Sequence, residues 1–377
     1  MALSTPKRAA ITVALLVAFG SALYVALRGQ STARIEQQQA AEAASVVVLK
    51  GLIALDVEAF FKDPRVTTIL QAQKVPVSVQ RVGSRDMAGK VVAGAAPDFF
   101  FASGVVAANQ IVDAARKANL GATQSAPFHT PLVVASWEPI AKILVANGMA
   151  KPISPKVYGL DMTRLTQAML AKTKWRDLKG SSGYDVGRSV LVSTTDPRRS
   201  NSGALYLALT SQALAGDIIT DRAAAQASAL KLAELFKRQG YQENYVDGNF
   251  DDYVAIGIGK TPMAFIYENQ IVRFALDKKG VAQDMVLLYP QPTIVNKVVF
   301  VAMTERAKAL AAVLANDAAL QGIAVEYGFR IADSERFVQA VKPTGLSVEA
   351  RVTQVVDPPS AEIMAEMIDV VSREMSQ

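Results

Sequence analysis

The sequence predicts a mixed α/β fold, because short apolar runs typical of buried strands alternate with helical stretches from residue 46 onwards. The chain has 377 residues, of which 51% are hydrophobic and 20% are charged. This composition is typical of a globular protein that buries substantial apolar cores. The length is sufficient for two domains or two lobes.

The predicted strands end in small or polar loops. They lie at residues 46–50, 75–84, 97–104, 131–136, 188–196, 261–270 and 285–290, followed by the apolar run VVFVAM. In open α/β sheets, ligands bind beyond the carboxyl ends of the strands, where such loops converge. These loops are therefore the first places to look for a binding site.

Amphipathic stretches between the strands predict helices. They lie at residues 54–73, 87–94, 137–148, 160–178, 202–215, 222–240, 306–328 and 360–375. Pro64 must interrupt or restart the first of them, and Gly148 is a typical helix-ending residue. Met162 and Met169 lie seven residues apart on one helix, and we interpret them as core residues.

The N-terminus predicts a membrane anchor. Residues 9–27 carry no charge over 19 positions, a length that comes close to spanning a bilayer core. Lys7 and Arg8 favour a cytoplasmic N-terminus and an extracytoplasmic location for the rest of the chain. We expect a single-pass anchor (1–28) in the inner membrane and a polar linker (29–45); a cleaved signal peptide is the alternative.

Composition excludes several kinds of chemistry. The chain has no cysteine and one histidine, which excludes disulfides, thiolate nucleophiles, cysteine-ligated metals and any site with two imidazoles. The basic residues behind the net charge of +6 are scattered, so nucleic-acid binding is not indicated. We predict no catalytic residue, no metal site and no cofactor, and interpret His129 as a structural residue in a loop before a strand. Two carboxylates at catalytic distance would instead favour an enzyme.

Two motifs resemble known sites but lack essential positions. GIGKTP (257–262) contains the GKT of a phosphate-binding loop, but Val254 replaces the first glycine and a strand-like run follows. DGNFDD (247–252) has calcium-loop spacing, but Asp252 and Ile258 occupy the positions of the required glycine and glutamate. We predict a solvated turn at 247–252.

The stretch TTDPRRSNSGALYLAL (194–209) joins a polar loop to an apolar helix. Ser200 or Ser202 could cap the helix, since serine is a preferred N-cap residue. The helix amides and Arg198 could at the same time face an anionic or polar ligand. Whether Asp196 pairs with an arginine stays open at this point.

The order of several stretches resembles the bacterial extracellular solute-binding proteins of the type 2 periplasmic-binding fold, which include molybdate-, sulfate- and phosphate-binding proteins. These stretches are FFKDPRV, VGSRDMAG, DFFFASG, PLVVASWEPIAKIL, STTDPRRSNSGALYLAL, PMAFIYENQ and LANDAALQGIAVEYGFR. The resemblance covers about residues 46–345. It implies a two-lobed α/β fold of type II with two hinge crossings, here preceded by one transmembrane helix.

The resemblance also implies a division into lobes. The expected crossings lie near Val133–Ser136 and Val286–Pro292. The expected units are lobe 1 (46–136 and 286–345), lobe 2 (137–285) and a C-terminal helical extension (346–377).

Carried over position by position, the resemblance implies that ligand-binding residues lie on both sides of a cleft. The candidates are Gly51, Leu52, Gly83, Ser84, Ser103, Ser136, Thr194, Thr195, Arg198, Ser200, Asn201, Ser202, Tyr267, Glu268 and Asn269. Oxyanion-binding relatives usually have Ser or Thr after the first strand, whereas this chain has KGLIAL.

We therefore expect a membrane-tethered extracytoplasmic protein that captures a small polar or anionic solute for an ABC-type permease or another membrane partner. The alternative is a scaffold, interaction or sensor protein that uses the same fold in a membrane complex without transport. Leu52 and Ile53, which stand where hydroxyls are expected, favour the alternative.

Overall fold

Seven of the nine strands in the described residues overlap predicted apolar runs, with shifted ends, whereas those at Ala150–Ser154 and Val157–Asp161 lie outside every predicted run. The computed structural model describes residues 47–376 except residue 241 and residues 243–245. Its strands are β1 (Leu49–Ile53), β2 (Val77–Arg81), β3 (Phe99–Ser103), β4 (Thr123–Trp137), β5 (Ala150–Ser154), β6 (Val157–Asp161), β7 (Met263–Tyr267), β8 (Met285–Gln291) and β9 (Val295–Ala302).

Helices cover the sheet and connect most of its strands. They are α1 (Glu58–Lys62), α2 (Pro64–Ala72), α3 (Val105–Lys117), α4 (Glu138–Ala146), α5 (Met162–Leu170), α6 (Asn201–Ala215), α7 (Arg222–Lys237), α8 (Val246–Ile256), α9 (Glu268–Lys278), α10 (Glu305–Asn316), α11 (Ala318–Glu326), α12 (Ser334–Val341) and α13 (Ala361–Met375). Pro64 restarts the helix as predicted, and Asp63 caps it by accepting a hydrogen bond from the Arg65 amide at 2.8 Å. Met162 and Met169 are fully buried, which confirms their assignment to the core.

The first lobe is built on β1, β2, β3, β9 and the first part of β4. β1 runs parallel to β2 and β3, while β9 pairs antiparallel with β3 and with β4 up to Pro131. Gly51 is required inside β1, because a Cβ atom there would lie 2.0 Å from the ring of Phe99. Phe99 in turn stacks on Phe300, at 4.9 Å between ring centroids, in the aromatic core of this lobe.

The second lobe is built on the rest of β4. From Leu132 onwards β4 pairs with β7 and β8, and β8 continues the sheet to β6 and β5. The chain thus crosses between the lobes at Pro131 and Leu132, and it returns in the three residues between β8 and β9. Residues 132–136 and 286–291 consequently pair with strands of the second lobe.

The C-terminal part of the chain ends in a helix that packs on the second lobe. Helix α13 buries Ile363, Met364, Met367, Val370 and Val371, and its main neighbour is α7. Arg222 of α7 pairs with Glu362 at 2.8 Å, and Lys237 pairs with Glu374 at 2.9 Å. Both pairs join corresponding ends of the two helices, which therefore run parallel.

Two sequence predictions of local structure are wrong. Residues 188–196 form no strand, because Ser189 and Ser193 make only isolated bridges, to Lys174 and to β7, and no ladder extends from either. Residues 247–252 lie in α8 rather than in a solvated turn. Asn249 explains the helix position, since its side-chain amide is buried and donates to the carbonyl oxygens of Ser193 and Phe265 at 3.2 and 3.0 Å.

Two further segments differ from their predicted conformation. His129 lies inside β4 rather than in a loop before it, and its backbone bonds to that of Arg330. The ENQ of the predicted strand 261–270 begins helix α9 instead, because Gln270 accepts a hydrogen bond from the Tyr267 amide and closes the first turn.

The predicted anchor (1–28) and the predicted linker (29–45) lie outside the described residues. Within the described ranges, no helix by itself has the length and apolar character needed to cross a membrane. The pair formed by α10 and α11 meets these criteria jointly, by length and composition only, with a 68° bend between the two helices.

Candidate ligand-binding cleft

A cluster of polar side chains joins the two lobes. We define the interlobe cluster as Ser103, Asn201, Tyr267 and Asn296. In the first lobe, the Asn296 amide donates to the Ser103 hydroxyl at 3.0 Å. In the second lobe, the Asn201 amide donates to the Tyr267 hydroxyl at 2.9 Å. The two pairs lie close together across the cleft, because the Asn296 Oδ1 and the Asn201 Nδ2 both lie within 4 Å of the Cβ position of Gly104, and Ser103 is near enough to influence the pKa of Tyr267.

The fold places these residues at element ends. Ser103 is the last residue of β3, and Gly104 follows with φ of 90°, a left-handed conformation that turns the chain into α3. A Cβ atom at Gly104 would lie 3.4 Å from the Asn296 Oδ1 and 3.7 Å from the Asn201 Nδ2, which are ordinary contact distances, so the positive φ rather than lack of space favours glycine here. Ser84, in the loop after β2, accepts a hydrogen bond from the Ser103 amide at 2.9 Å.

The interlobe cluster is neutral, and three of its four residues are buried, while Asn201 is half-buried. Burial, and then the negative charge of Asp56, raise the pKa of Tyr267 well above its ordinary value, while its hydrogen bonds with Asn201 and Ser103 oppose this. The phenol therefore stays protonated and serves as a neutral donor or acceptor. Asn296 is 2% exposed, and its Oδ1 has no hydrogen-bond partner within the described part of the chain.

Three hydroxyls form a second group at the N-terminus of α6. Thr195, Ser200 and Ser202 lie 2.7–2.9 Å from one another, oxygen to oxygen, and all three are buried. Ser200 occupies the N-cap position, as predicted, but its side chain forms no capping bond, so the predicted bond to the helix amides is wrong. The three hydroxyls form hydrogen bonds with one another instead. Gly203 allows α6 to pack closely against the loop, since a Cβ atom at this position would lie 2.4 Å from the Thr195 carbonyl oxygen.

Asp196 forms an ion pair with Arg198 in the loop before α6. The Arg198 Nη2 lies 2.6 Å from the Asp196 Oδ2, and its Nε lies 2.9 and 3.0 Å from the two carboxylate oxygens. Burial raises the pKa of Asp196, but hydrogen bonds from Arg198 outweigh burial and hold it below the ordinary value. The positive charge of Arg198 is thus largely neutralised within its own loop.

Arg85 supplies a direct contact between the lobes. It follows Ser84 in the first lobe, and its Nη1 donates to the Arg198 carbonyl oxygen at 2.9 Å. Its Nη2 donates to the Pro197 carbonyl oxygen at 3.3 Å. Both acceptors belong to the loop that leads into α6.

Several predicted site residues have other structural partners. Gly51 and Leu52 lie inside β1, which ends at Ile53, so neither is the last residue of the strand. Ser136 is fully buried in β4 and donates to the Pro262 carbonyl oxygen at 2.8 Å. Thr194 is buried, and its amide donates to the Gln239 side chain.

Glu268 and Asn269 lie at the hinge rather than with the interlobe cluster. The Glu268 carboxylate pairs with Arg330 and accepts a hydrogen bond from the Tyr289 hydroxyl, with all three side chains buried. The Asn269 amide nitrogen of the backbone donates to the Thr130 hydroxyl at 3.0 Å. These contacts connect α9 to β4, β8 and the segment after α11.

The structure therefore brings together Ser84, Ser103, Asn201 and Tyr267 at the cleft. Gly83 precedes Ser84, and the three hydroxyls at the N-terminus of α6 lie behind these residues. Two residues of the cleft escaped the sequence analysis, Arg85 and Asn296. Asn296 had a detectable signal, because it is a polar residue near the start of the apolar strand VNKVVFVA.

The cleft offers hydroxyl and carboxamide groups, with the guanidinium of Arg85 at its edge. Within the described residues, no group of three or more His, Cys, Asp or Glu side chains is arranged to hold a metal ion. Such a set of neutral donors and acceptors is suited to hydrogen bonding of a small polar or anionic molecule.

Two solved structures resemble this fold with TM-scores above 0.5. One is described as an ABC transporter from Clostridium perfringens; it is 13% identical, with a TM-score of 0.52, over 87% of this chain and 99% of the other. The second is assigned as an extracellular solute-binding protein from Bordetella parapertussis; it is 11% identical, with a TM-score of 0.51, over 86% of this chain and 98% of the other.

The chain has a type 2 solute-binding-protein fold. This confirms the two-lobed α/β architecture predicted from the order of the sequence stretches. At 11–13% identity the similarity establishes the fold alone. The sequence matches no protein-family model and no curated protein.

Proposed function

We propose that the protein binds a small polar or anionic solute in the cleft between its lobes. The observation that carries this proposal is the interlobe cluster, in which buried hydrogen-bonding groups from both lobes converge at strand and helix ends. Ligands of α/β folds bind at such ends, and a few convergent polar groups in a buried cleft are typical of small-molecule sites.

The same groups offer a mechanism for closure. Ser103 and Asn296 belong to one lobe, and Asn201 and Tyr267 to the other, so a solute that bonds to both pairs favours the closed arrangement. Its differential affinity for the closed and open forms supplies the free energy of closure. The crossings at β4 and between β8 and β9 are the points about which the lobes would move.

The proposed location follows from the N-terminal sequence. Residues 9–27 would anchor the chain in the inner membrane, with the linker (29–45) placing the lobes on the extracytoplasmic side. The bound solute would be delivered to an ABC-type permease or another membrane partner. We propose a binding protein rather than an enzyme, with no cofactor, since the cleft groups are hydroxyls and carboxamides.

Thermal unfolding against a panel of oxyanions, sugars and amino acids tests this proposal. A solute at about 100 times its dissociation constant adds about 2.7 kcal/mol to the free energy of unfolding. We expect Asn201→Ala and Ser103→Ala to abolish the shift, and Ser182→Ala, at an exposed position, to retain it. The proposal fails if no solute shifts the melting temperature of the wild-type protein, or if both cleft variants respond as the wild type does.

A second candidate function is a scaffold or sensor in a membrane complex. The observation that favours it is the direct bonding of the lobes, in which Arg85 donates to carbonyl oxygens across the cleft. Purification of the full chain from solubilised membranes separates the two functions. A scaffold co-purifies with a stoichiometric partner at all solute concentrations. For a solute carrier, the amount of membrane partner that co-purifies changes with the solute concentration.

A further inference from the structure

Arg85 occupies an unusual position among the basic residues of the cleft, because it reaches from one lobe to the other. Its two hydrogen bonds end on the carbonyl oxygens of Pro197 and Arg198, in the loop before α6. The preceding residue, Ser84, is bonded to Ser103 of the interlobe cluster. Arg85 is therefore linked to the cleft in two ways. Its neighbour Ser84 bonds to Ser103, and its own acceptors lie in the loop before α6.

The partners of Arg85 are neutral. No carboxylate within the described residues forms an ion pair with it, whereas Arg198 is paired with Asp196 and the neighbouring Arg81 with Glu58. The bonds from the ionised guanidinium to the two carbonyl oxygens are already charge-assisted, but an anionic acceptor adds a full opposite charge and can accept two parallel N–H bonds. A negatively charged oxygen that entered the cleft would therefore be a better acceptor for Arg85 than the two carbonyl oxygens.

We propose that Arg85 is an exchangeable latch between the lobes that selects a solute by its charge. Without an anion, the guanidinium holds the Pro197–Arg198 backbone and favours contact between the lobes. With an anion, it transfers to the solute's charged oxygen, so the solute takes over the interlobe contact. This inference rests on the proposed solute-binding function and names Arg85 as its specificity-determining residue.

The latch has a first consequence for the protein alone. The chain has no cysteine, so Gln110→Cys on α3 and Lys231→Cys on α7, both exposed, can be labelled for distance measurements between the lobes. We expect Arg85→Gln to shift the distance distribution towards longer separations. Arg81→Gln is the matched control, because it removes an exposed arginine four residues away that bonds within its own lobe. An unchanged distribution for Arg85→Gln overturns the latch.

The second consequence concerns selectivity. Calorimetric titrations at constant ionic strength would use sulfate, phosphate and malonate as anionic probes and glycerol as a neutral probe. We expect the wild type and Arg81→Gln to bind at least one anion, and Arg85→Gln to bind it at least tenfold more weakly. Arg85→Lys, which keeps the charge but loses the two-pronged geometry, should recover part of the affinity.

The outcomes separate this inference from the proposed function. If Arg85→Gln binds the anion as tightly as the wild type, or if the wild type binds only the neutral probe, the inference is overturned while solute binding stands. If neither these probes nor the wider solute panel bind the wild type, the proposed function fails, and the charge-selecting role of Arg85 fails with it.

Discussion

Glu268 and Arg330 form an ion pair whose side chains are almost completely shielded from water, with exposed fractions of 0% and 4%. The Arg330 Nη2 lies 2.8 Å from the Glu268 Oε1, and the Tyr289 hydroxyl donates to the same oxygen. Replacing Glu268 with alanine leaves a buried guanidinium without its counter-charge and Tyr289 without its acceptor. Removing one partner of a buried pair typically lowers the free energy of unfolding by about 3–5 kcal/mol.

Urea unfolding followed by circular dichroism would measure this loss for Glu268→Ala. The control is Glu326→Ala, which breaks the exposed pair between Glu326 and Arg65 and should cost less than about 1 kcal/mol. The double variant Glu268→Leu/Arg330→Met should recover much of the loss, since apolar groups of similar volume need no counter-charge. A loss below about 1 kcal/mol for Glu268→Ala, or a double variant less stable than it, would refute this reasoning.

Three further predictions concern packing and pH. Gly203→Ala should lower the melting temperature, because its Cβ would meet backbone atoms of residues 195–197, whereas Gly259→Ala meets nothing within 4 Å and should not; equal melting temperatures would contradict this. Met367→Ala, at a fully buried position of α13, should cost about 2–5 kcal/mol in urea unfolding; a loss below 1 kcal/mol would show that α13 is not firmly packed. Burial, followed by the charge of Arg330, lowers the pKa of His129, so the unfolded chain takes up a proton more readily and stability should fall as the pH drops below about 6.5. Because the chain has one histidine, His129→Gln should flatten the dependence between pH 5.5 and 7.5, and an unchanged slope would exclude His129 as its source.

Much of the fold was predictable from local patterns. β3 and β7 lie within predicted apolar runs and β8 exceeds its run by one residue, because a strand buried on both faces requires consecutive apolar residues. Pro64 marked a helix start for a local stereochemical reason. The prediction at 247–252 failed because the Asn249 amide bonds to backbone carbonyl oxygens of Ser193 and Phe265, 56 and 16 positions away along the chain. The prediction at 188–196 failed because this segment makes only isolated bridges to its neighbours.

The candidate site was predictable in part. The strand-end rule located Ser84 and Ser103, and the polar loop before α6 located Asn201, because the carboxyl ends of strands converge in α/β folds. The rule cannot separate a side chain that faces the cleft from one that faces the hinge. Glu268 directly follows Tyr267, yet it pairs with Arg330, 62 residues away along the chain.

The sequence by itself determined the α/β class, the approximate positions of most strands, and the absence of thiol chemistry, because these depend on composition and on patterns within short windows. Only the tertiary structure decided that Arg198 is neutralised by Asp196, that Arg85 bridges the lobes, and that Asn296 completes the interlobe cluster. These contacts join residues up to 193 positions apart. The contacts of Arg85 and Asn296 are set by the packing of strands and loops, whereas Asp196 and Arg198 lie two positions apart and their pairing depends on the conformation of their loop.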